Sequence, residues 1–413
     1  MTSRIGKLLA ETTASSSFAS AQALRSRDLT IIVADAVNGV LLRSVVALAL
    51  RCFTGALILR GDGKTLADAH VADAEQESAE YGARDRVRID AHASDLRLGL
   101  GCACDGVFVD AYGWTVSVNE LSSTGVAATA PAAAFAAAAG VAKLFARLIG
   151  RSTDVLQEAW TGSLLDFPHG SVLSAGHEPL ELGRVVVVGG GAIGAGLAHV
   201  LRGSGWRCDL GWIDDDRYDE VNHETTLLIS PQMARRQPPK AATLAEILGS
   251  PLMTVESHEA RVTEGHPLIM AKADALVCAV DNSETRRCLD TVGACVVFNA
   301  GVGGSRDDAG HVLWTRHGLN EPPLSAHYRA SPGTIEPPPV HAPADIAPDE
   351  CSRIAYSQVA MAAPFLGLAA GALLAAGLAQ QAMGSAAPTN YFKVDLLGLQ
   401  KWATRQARRA DTQ

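Results

Sequence analysis

The chain has 413 residues, enough for one large core or two of medium size. It is 48% hydrophobic and 19% charged with a formal net charge of −9. That is a globular composition, and its sign argues against a general binder of nucleic acid or of an acidic membrane surface. The eight cysteines are scattered without a CxxC spacing, so a structural zinc site is not expected. Residues 1–30 lack the continuous apolar stretch of a secretory signal. Together these predict a reducing, cytoplasmic setting.

Three zones follow in chain order. Residues 1–160 are alanine-rich and contain LTIIVADAVNG at 29–39, a strand running into a turn. Residues 161–182 carry Pro168, Gly170, Gly176 and Pro179 and read as a linker. Residues 183–413 alternate strands and helices. RVVVVG is a strand and AIGAGLAHVLRGSG a helix. CDLGWID is a strand, and PPKAATLAEIL a helix that Pro238 and Pro239 suit at its start. LMTVESH and ADALVCAV are strands, NSETRRCLDTVG a helix, and ACVVFNAGV a strand. This pattern predicts an α/β fold with a mostly parallel sheet and flanking helices.

Residues 321–350 hold eight of the 18 prolines, so 321–351 is expected to be a long crossover loop. Ile354 to Tyr391 carries no charge, and a membrane span needs only about 20 apolar residues. The stretch is rich in alanine and glycine, contains Pro364, and lacks basic or aromatic flanks. A buried helix pair is therefore expected, with no membrane partner.

The two large zones read as copies of one fold. Aligning 29–39 with 184–194 places Ala34 on Gly189, Ala36 on Gly191 and Gly39 on Gly194. DRVRIDAH then parallels PLMTVESH, DGVFVDAYG parallels DALVCAVDN, and the two alanine-rich helices correspond. Of the three nucleotide glycines the first copy keeps only Gly39, with alanine at the other two places.

Gly189, Gly191 and Gly194 form GxGxxG between a strand and a helix. Such a turn lets backbone approach phosphates, and the helix N-terminus offers free N–H groups. Asp214, 20 residues after Gly194, ends the next strand, where an acid can take ribose hydroxyls. To this point NAD and ATP are equally good ligands.

The residues downstream resemble the superfamily of ThiF, MoeB and the ubiquitin-activating enzymes. The matching features are Asp214 and Asp216 as D-x-D, Asn222 eight residues past Asp214, Lys240 opening a helix, and Asp281, Asn282 and Arg286 as D-N-x-x-x-R. FNAGVGGSRDDAGHV also resembles the family's strand and glycine turn. The resemblance covers about 183–413, and 20–160 only through the repeat. It implies two Rossmann-like ThiF-type folds, an inactive 1–160 and an active 183–413, binding ATP with Mg²⁺. It further implies that Gly189, Gly191, Gly194 and Asp214 hold the nucleotide. Asp216 belongs to the same set, Asn222 and Lys240 contact phosphates, and Asp281 holds the metal.

The family's phosphate-binding arginine and the glutamine after it are replaced here by Thr225 and Thr226. Candidate substitutes are Arg235, Arg236, Arg4, Arg25 and Arg27. Cys351 stands where the family carries a cysteine that attacks the acyl adenylate, although the glycine and proline that follow are displaced, to Ala355 and Pro364. Cys278, Cys288 and Cys295 read as ordinary buried cysteines, and His258 and His266 as surface or loop residues.

The expectation is an activating enzyme for a small ubiquitin-like (β-grasp) protein, forming a thioester on Cys351 and passing the carrier to a conjugating enzyme. The family's pseudo-twofold could be met within the chain or by a homodimer. The rival readings are adenylation of a peptide or sulfur carrier, a non-catalytic scaffold for a β-grasp partner, and, most distant, an NAD oxidoreductase.

Overall fold

The computed structural model describes residues 5, 8, 9, 18–121, 126–149, 158–165, 179–263, 266, 272–290, 295–303, 310–318, 363–384, 391–398 and 403–405. Cys351, the loop 321–351 and Arg4 lie outside the described residues.

Short β-branched and leucine-rich runs build two sheets. In the first half the strands are β1 (Leu29–Val33), β2 (Leu57–Gly61), β3 (Val87–Ile89), β4 (Leu96–Leu100) and β5 (Val107–Tyr112). They lie parallel in the order β3-β2-β1-β4-β5. β6 (Thr115–Val118) and β7 (Trp160–Ser163) continue the sheet antiparallel. The second half has β8 (Glu181–Val188), β9 (Arg207–Ile213), β10 (Met253–His258), β11 (Ala275–Cys278) and β12 (Val296–Val302). These are parallel in the order β10-β9-β8-β11-β12. β13 (His311–His317), β14 (Tyr391–Asp395) and β15 (Ala403–Arg405) extend it antiparallel. The segment joining the sheets is 164–180, inside the stretch that composition marks as a linker.

Strand for strand the two orders agree, so the repeat is a property of the topology. One correspondence differs from the sequence alignment. DGVFVDAYG carries β5, which takes the place of β12; the counterpart of β11 is β4. The slip arises because β11 and β12 are separated by helix α8 (Ser283–Asp290), whereas β4 and β5 follow each other without one. Two short apolar strands then compete for one partner.

Helices cover the sheets. The first half has α1 (Phe18–Arg25), α2 (Gly39–Cys52), α3 (Asp68–Tyr81) and α4 (Ala130–Leu148). The second has α5 (Ala192–Ser204), α6 (Pro231–Arg235), α7 (Lys240–Leu248), α8 and α9 (Pro364–Ala382). Their starts carry the expected signals: Asn38 caps α2, Thr129 caps α4, and Ser230 with Pro231 opens α6.

α4 and α9 are apolar almost throughout, Lys143 and Arg147 in α4 and Gln380 and Gln381 in α9 excepted, which suits helices surrounded by protein. Each is long and apolar enough to cross a membrane, yet 94% and 89% of their apolar windows are buried inside the fold. α9 is the described part of the uncharged 354–391 stretch. It crosses α5 at glycines: a Cβ on Gly196 would sit 2.2 Å from the Gly367 carbonyl oxygen, and one on Gly371 2.2 Å from Leu197 N. Small residues there let the backbones touch.

One apolar cluster runs through both halves, with Phe145 of α4 against Phe365 of α9 at 5.5 Å between ring centroids. Each such buried side chain contributes on the order of 1.5–3 kcal/mol. Ser44 of α2 hydrogen-bonds His199 Nε2 of α5 at 2.9 Å. The two stand equally far past the strand ends Val33 and Val188, so the bond marks the local pseudo-twofold.

Candidate nucleotide site

In an open parallel sheet, ligands bind beyond the carboxyl ends of the strands where the order reverses. That point in the second half lies between β8 and β11. β8 (ELGRVVVV) ends in four buried valines, as expected for a strand covered on both faces. Gly189 turns the chain with φ +104°, and a Cβ there would lie 2.6 Å from the Ala279 oxygen. Gly194 sits beneath the turn, where a Cβ would overlap Gly189 O. Gly191 is different. It is the N-cap of α5, no side chain caps that end, and a Cβ on it would meet nothing within 4 Å. The N–H groups of the first turn therefore face an open cleft.

The cleft measures about 720 Å³ and is lined by Gly189, Gly191, Asp214, Asp216, Asn222, Lys240 and Asp281, among others. Gly194 supports the turn from below and does not line it. Asp214 Oδ2 accepts from Gly190 N at 2.5 Å, and Oδ1 accepts from Asp216 N at 2.8 Å. Burial pushes the Asp214 carboxyl up, opposed by the Gly190 N–H and the Lys240 charge. Lys240 opens α7, and its Nζ donates to Asp216 Oδ2 at 2.7 Å. Asn222 closes a capping box with Asp219, its carboxamide oxygen accepting from Asp219 N at 3.1 Å. The amide nitrogen is the end of that side chain left to serve a ligand. Asp281 is exposed at the end of β11, and Asn282 Oδ1 caps α8 through Thr285 N at 2.8 Å. Arg286 is buried and donates to Val280 O, fixing the turn that presents Asp281.

Sequence reasoning missed several contributors. Tyr218 is 1% exposed and donates its hydroxyl to Gly190 O at 2.8 Å. Trp212 Nε1 donates to Gly189 O at 3.3 Å. Together they fasten the glycine turn from beneath. Arg217 and Arg261 line the cleft, the latter paired with Glu284 at 2.9 Å. These two, with Lys240, are its described cationic side chains. Arg235 and Arg236 do not line it. Arg25 is committed to Cys52 O and Arg51 O, with Glu224 at 3.7 Å. Thr225 and Thr226 are buried in the cleft wall. His258 is also corrected: it ends β10, with Nε2 2.9 Å from Glu256 Oε1, and His266 is buried beside it.

In the first half the corresponding helix start carries a side-chain cap. Asn38 Oδ1 caps α2 by accepting from Val40 N at 2.7 Å. A Cβ on Gly39 would lie 2.7 Å from the Asp73 carboxylate. Strand registers set Val33 opposite Leu100 and Val188 opposite Cys278. Three residues on, Ala103 stands where the second half has Asp281.

Burial raises the described cysteine thiols at Cys52 and Cys208 to about 12, and at Cys102 and Cys278 to about 11. None of these four is poised as a thiolate. Cys278 is buried in β11, while Cys288 and Cys295 are half-buried.

Residues 184–385 match the family described as the BilD C-terminal domain. No curated protein matches the sequence. Among solved structures, E. coli MccB with MccA-N7isoASN is 15% identical, with a TM-score of 0.42 over 55% of this chain and 66% of that one. E. coli MccB with ATP is 16% identical, with a TM-score of 0.41 over 55% and 65%. PaaA is 14% identical, with a TM-score of 0.38 over 65% and 72%. The chain thus spans about 66% of the length of the first of these MccB chains. The geometry of the cleft, and not these likenesses, carries the functional reading.

Proposed function

We propose that this chain is an ATP-dependent adenylyltransferase that activates the C-terminal carboxylate of a polypeptide, as the ThiF, MoeB and ubiquitin-activating enzymes do. The observation that carries the reading is the uncapped N-terminus of α5. It opens at the sheet's switch point into a cleft that also holds Asp214, Lys240, Asn222 and Asp281.

The chemistry fits the donors. A triphosphate takes N–H groups at the α5 N-terminus and the amide of Asn222. Asp214, already oriented by two backbone N–H groups, accepts from ribose hydroxyls. The polypeptide carboxylate attacks the α-phosphorus, an acyl–O–P bond forms, the α–β phosphoanhydride bond breaks, and pyrophosphate leaves. Charge grows on the α-phosphate oxygens, and Lys240 is the cation placed to stabilise it. Asp281 is an exposed carboxylate on the cleft, the hard oxygen ligand that Mg²⁺ takes, and a bound Mg²⁺ would neutralise the phosphates.

The motif order is common to enzymes that activate a β-grasp carrier and to those that activate a peptide; in the first reading the carrier is ubiquitin-like and passes to Cys351 as a thioester. A second reading is a peptide substrate in natural-product synthesis; MccB is the microcin C7 biosynthetic enzyme, solved in complex with N-formylated MccA. The two separate on one experiment. A DTT-sensitive adduct with the carrier, lost in Cys351→Ala and kept in Cys288→Ala, supports the first. Turnover without such an adduct supports the second. ATP binding without pyrophosphate exchange leaves a scaffold.

A further inference from the structure

Arg51 belongs to the first half, where Asn38 caps the start of α2. It ends α2, is 2% exposed, and points across to the other half. Its Nε donates to His223 O at 3.1 Å and Thr226 O at 3.3 Å, its Nη2 to Ile229 O at 3.1 Å, and its Nη1 to Ala47 O at 2.8 Å. The guanidinium stacks 4.5 Å from the Tyr81 ring centroid. Three of its four acceptors are thus backbone carbonyls of 223–229, the stretch that carries Thr225 and Thr226 into the cleft wall.

We propose that Arg51 is a positioning residue that holds the nucleotide-binding wall 222–229 in shape from the inactive half; this rests on the nucleotide reading of the cleft. Leu228 has φ +66°, the left-handed region that a leucine avoids. Such strain persists only where the surroundings over-determine it. Arg51 grips the carbonyls on either side of it, at Thr226 and Ile229. With its carbonyls turned to Arg51, the segment turns the Thr225 and Thr226 N–H groups to Asn222 O at 3.1 and 2.8 Å, which fixes Asn222 beside the phosphates' place.

Arg25 braces the arrangement by donating to Arg51 O at 2.9 Å, with Glu224 beside it. A guanidinium suits the task because its donors form a rigid fork; an ammonium is a point with no such span. The brace runs one way. At the equivalent place in the second half, equally far past Val188, stands Trp206. The inactive half would therefore be needed for nucleotide affinity as well as for folding.

The test uses the full chain with Arg51→Lys, and Arg202→Ala as control. Arg202 joins the halves through Glu80 by two bonds of 2.8 Å but does not touch 222–229. ATP affinity, amide exchange at 222–229 and melting temperature are measured for each. Arg51→Lys should weaken ATP binding about tenfold or more and speed exchange at 222–229 by a similar factor. Arg202→Ala should change neither, even where it lowers the melting temperature as much. Should Arg51→Lys not fold, Tyr81→Leu removes the ring under the guanidinium and is expected to give the same local signature in weaker form. Unchanged exchange at 222–229 overturns the proposal, as does an equal effect from Arg202→Ala. If the wild type binds no ATP, the nucleotide reading fails, and exchange still reports on the brace.

Discussion

Gly191→Ala separates nucleotide binding from folding more cleanly than any other change in the glycine turn. At Gly189 the backbone has φ +104° and a Cβ would lie 2.6 Å from a carbonyl oxygen; at Gly194 it would overlap one. Alanine at either place must distort the turn. Gly191 has φ −74° and ψ −155°, which alanine adopts, and its Cβ would point into open space. The entropy gain from restricting the unfolded chain is about 0.4–1 kcal/mol, and alanine is a poorer N-cap than glycine by a similar amount. The two offset, so stability without nucleotide should stay within about 1 kcal/mol of wild type.

The methyl, however, stands in front of the α5 N–H groups where phosphate must approach. A tenfold loss of affinity is a modest expectation. At an ATP concentration about 100 times the wild-type Kd, ligand adds about 2.7 kcal/mol to wild-type stability and about 1.4 kcal/mol to the variant. Calorimetric titration gives the affinity, and thermal or urea unfolding with and without ATP gives the linkage. Wild-type ATP affinity in Gly191→Ala would refute the assignment of this turn to the phosphates. A variant that unfolds without ligand would refute the reading of the local geometry.

Further outcomes follow from the same geometry. Lys240→Met, with the fold checked by circular dichroism, should lower ATP–pyrophosphate exchange about 100-fold or more, as loss of a charge-stabilising donor does; unaltered exchange removes Lys240 from the chemistry. Titration with ATP should give one nucleotide per chain, because Asn38 caps the first half's helix; two sites would show that the first half binds as well. The pH dependence of stability should hide two opposed terms. Burial raises Glu77 to about 7, so its contribution is complete below the ordinary 4.5 and is lost as pH rises toward 7. Burial lowers His199 to about 3, so its contribution is complete above the ordinary 6.5 and is lost as pH falls toward 3. Between pH 7 and 5 each changes by about 2 kcal/mol with opposite sign. Urea unfolding of Glu77→Gln should therefore lose about 2 kcal/mol relative to wild type between pH 7 and pH 5; the same pH dependence in variant and wild type contradicts this.

The residues that the sequence placed in the site share one property: they sit at strand ends and a helix start, in fixed order, along a contiguous stretch. Gly189, Asp214, Asn222, Lys240 and Asp281 could be read together because each is tied to an element that the hydrophobic pattern already predicts. What escaped acts across the fold. Tyr218 grips Gly190 O from beneath the turn. Arg261 reaches the cleft from the segment after β10, and Arg51 comes from the other half. Spacing carries no trace of such contacts. The repeat is legible in its strand order, but the sequence aligns β5 with β11, because nothing in two short apolar runs says which neighbour each will choose. Pairing at the pseudo-twofold through Ser44 and His199 became visible only once both helices were packed.

The central claim is that the cleft beside α5 adenylates a polypeptide carboxylate. The most direct measurement is ATP–pyrophosphate exchange by the full chain, with Mg²⁺, in the presence of a small β-grasp protein or a peptide with a free C-terminal carboxylate. Exchange that requires the carrier's free C-terminal carboxylate and disappears in Lys240→Met is the predicted result. ATP binding with no exchange for any such carrier, or NAD binding in place of ATP, would contradict it.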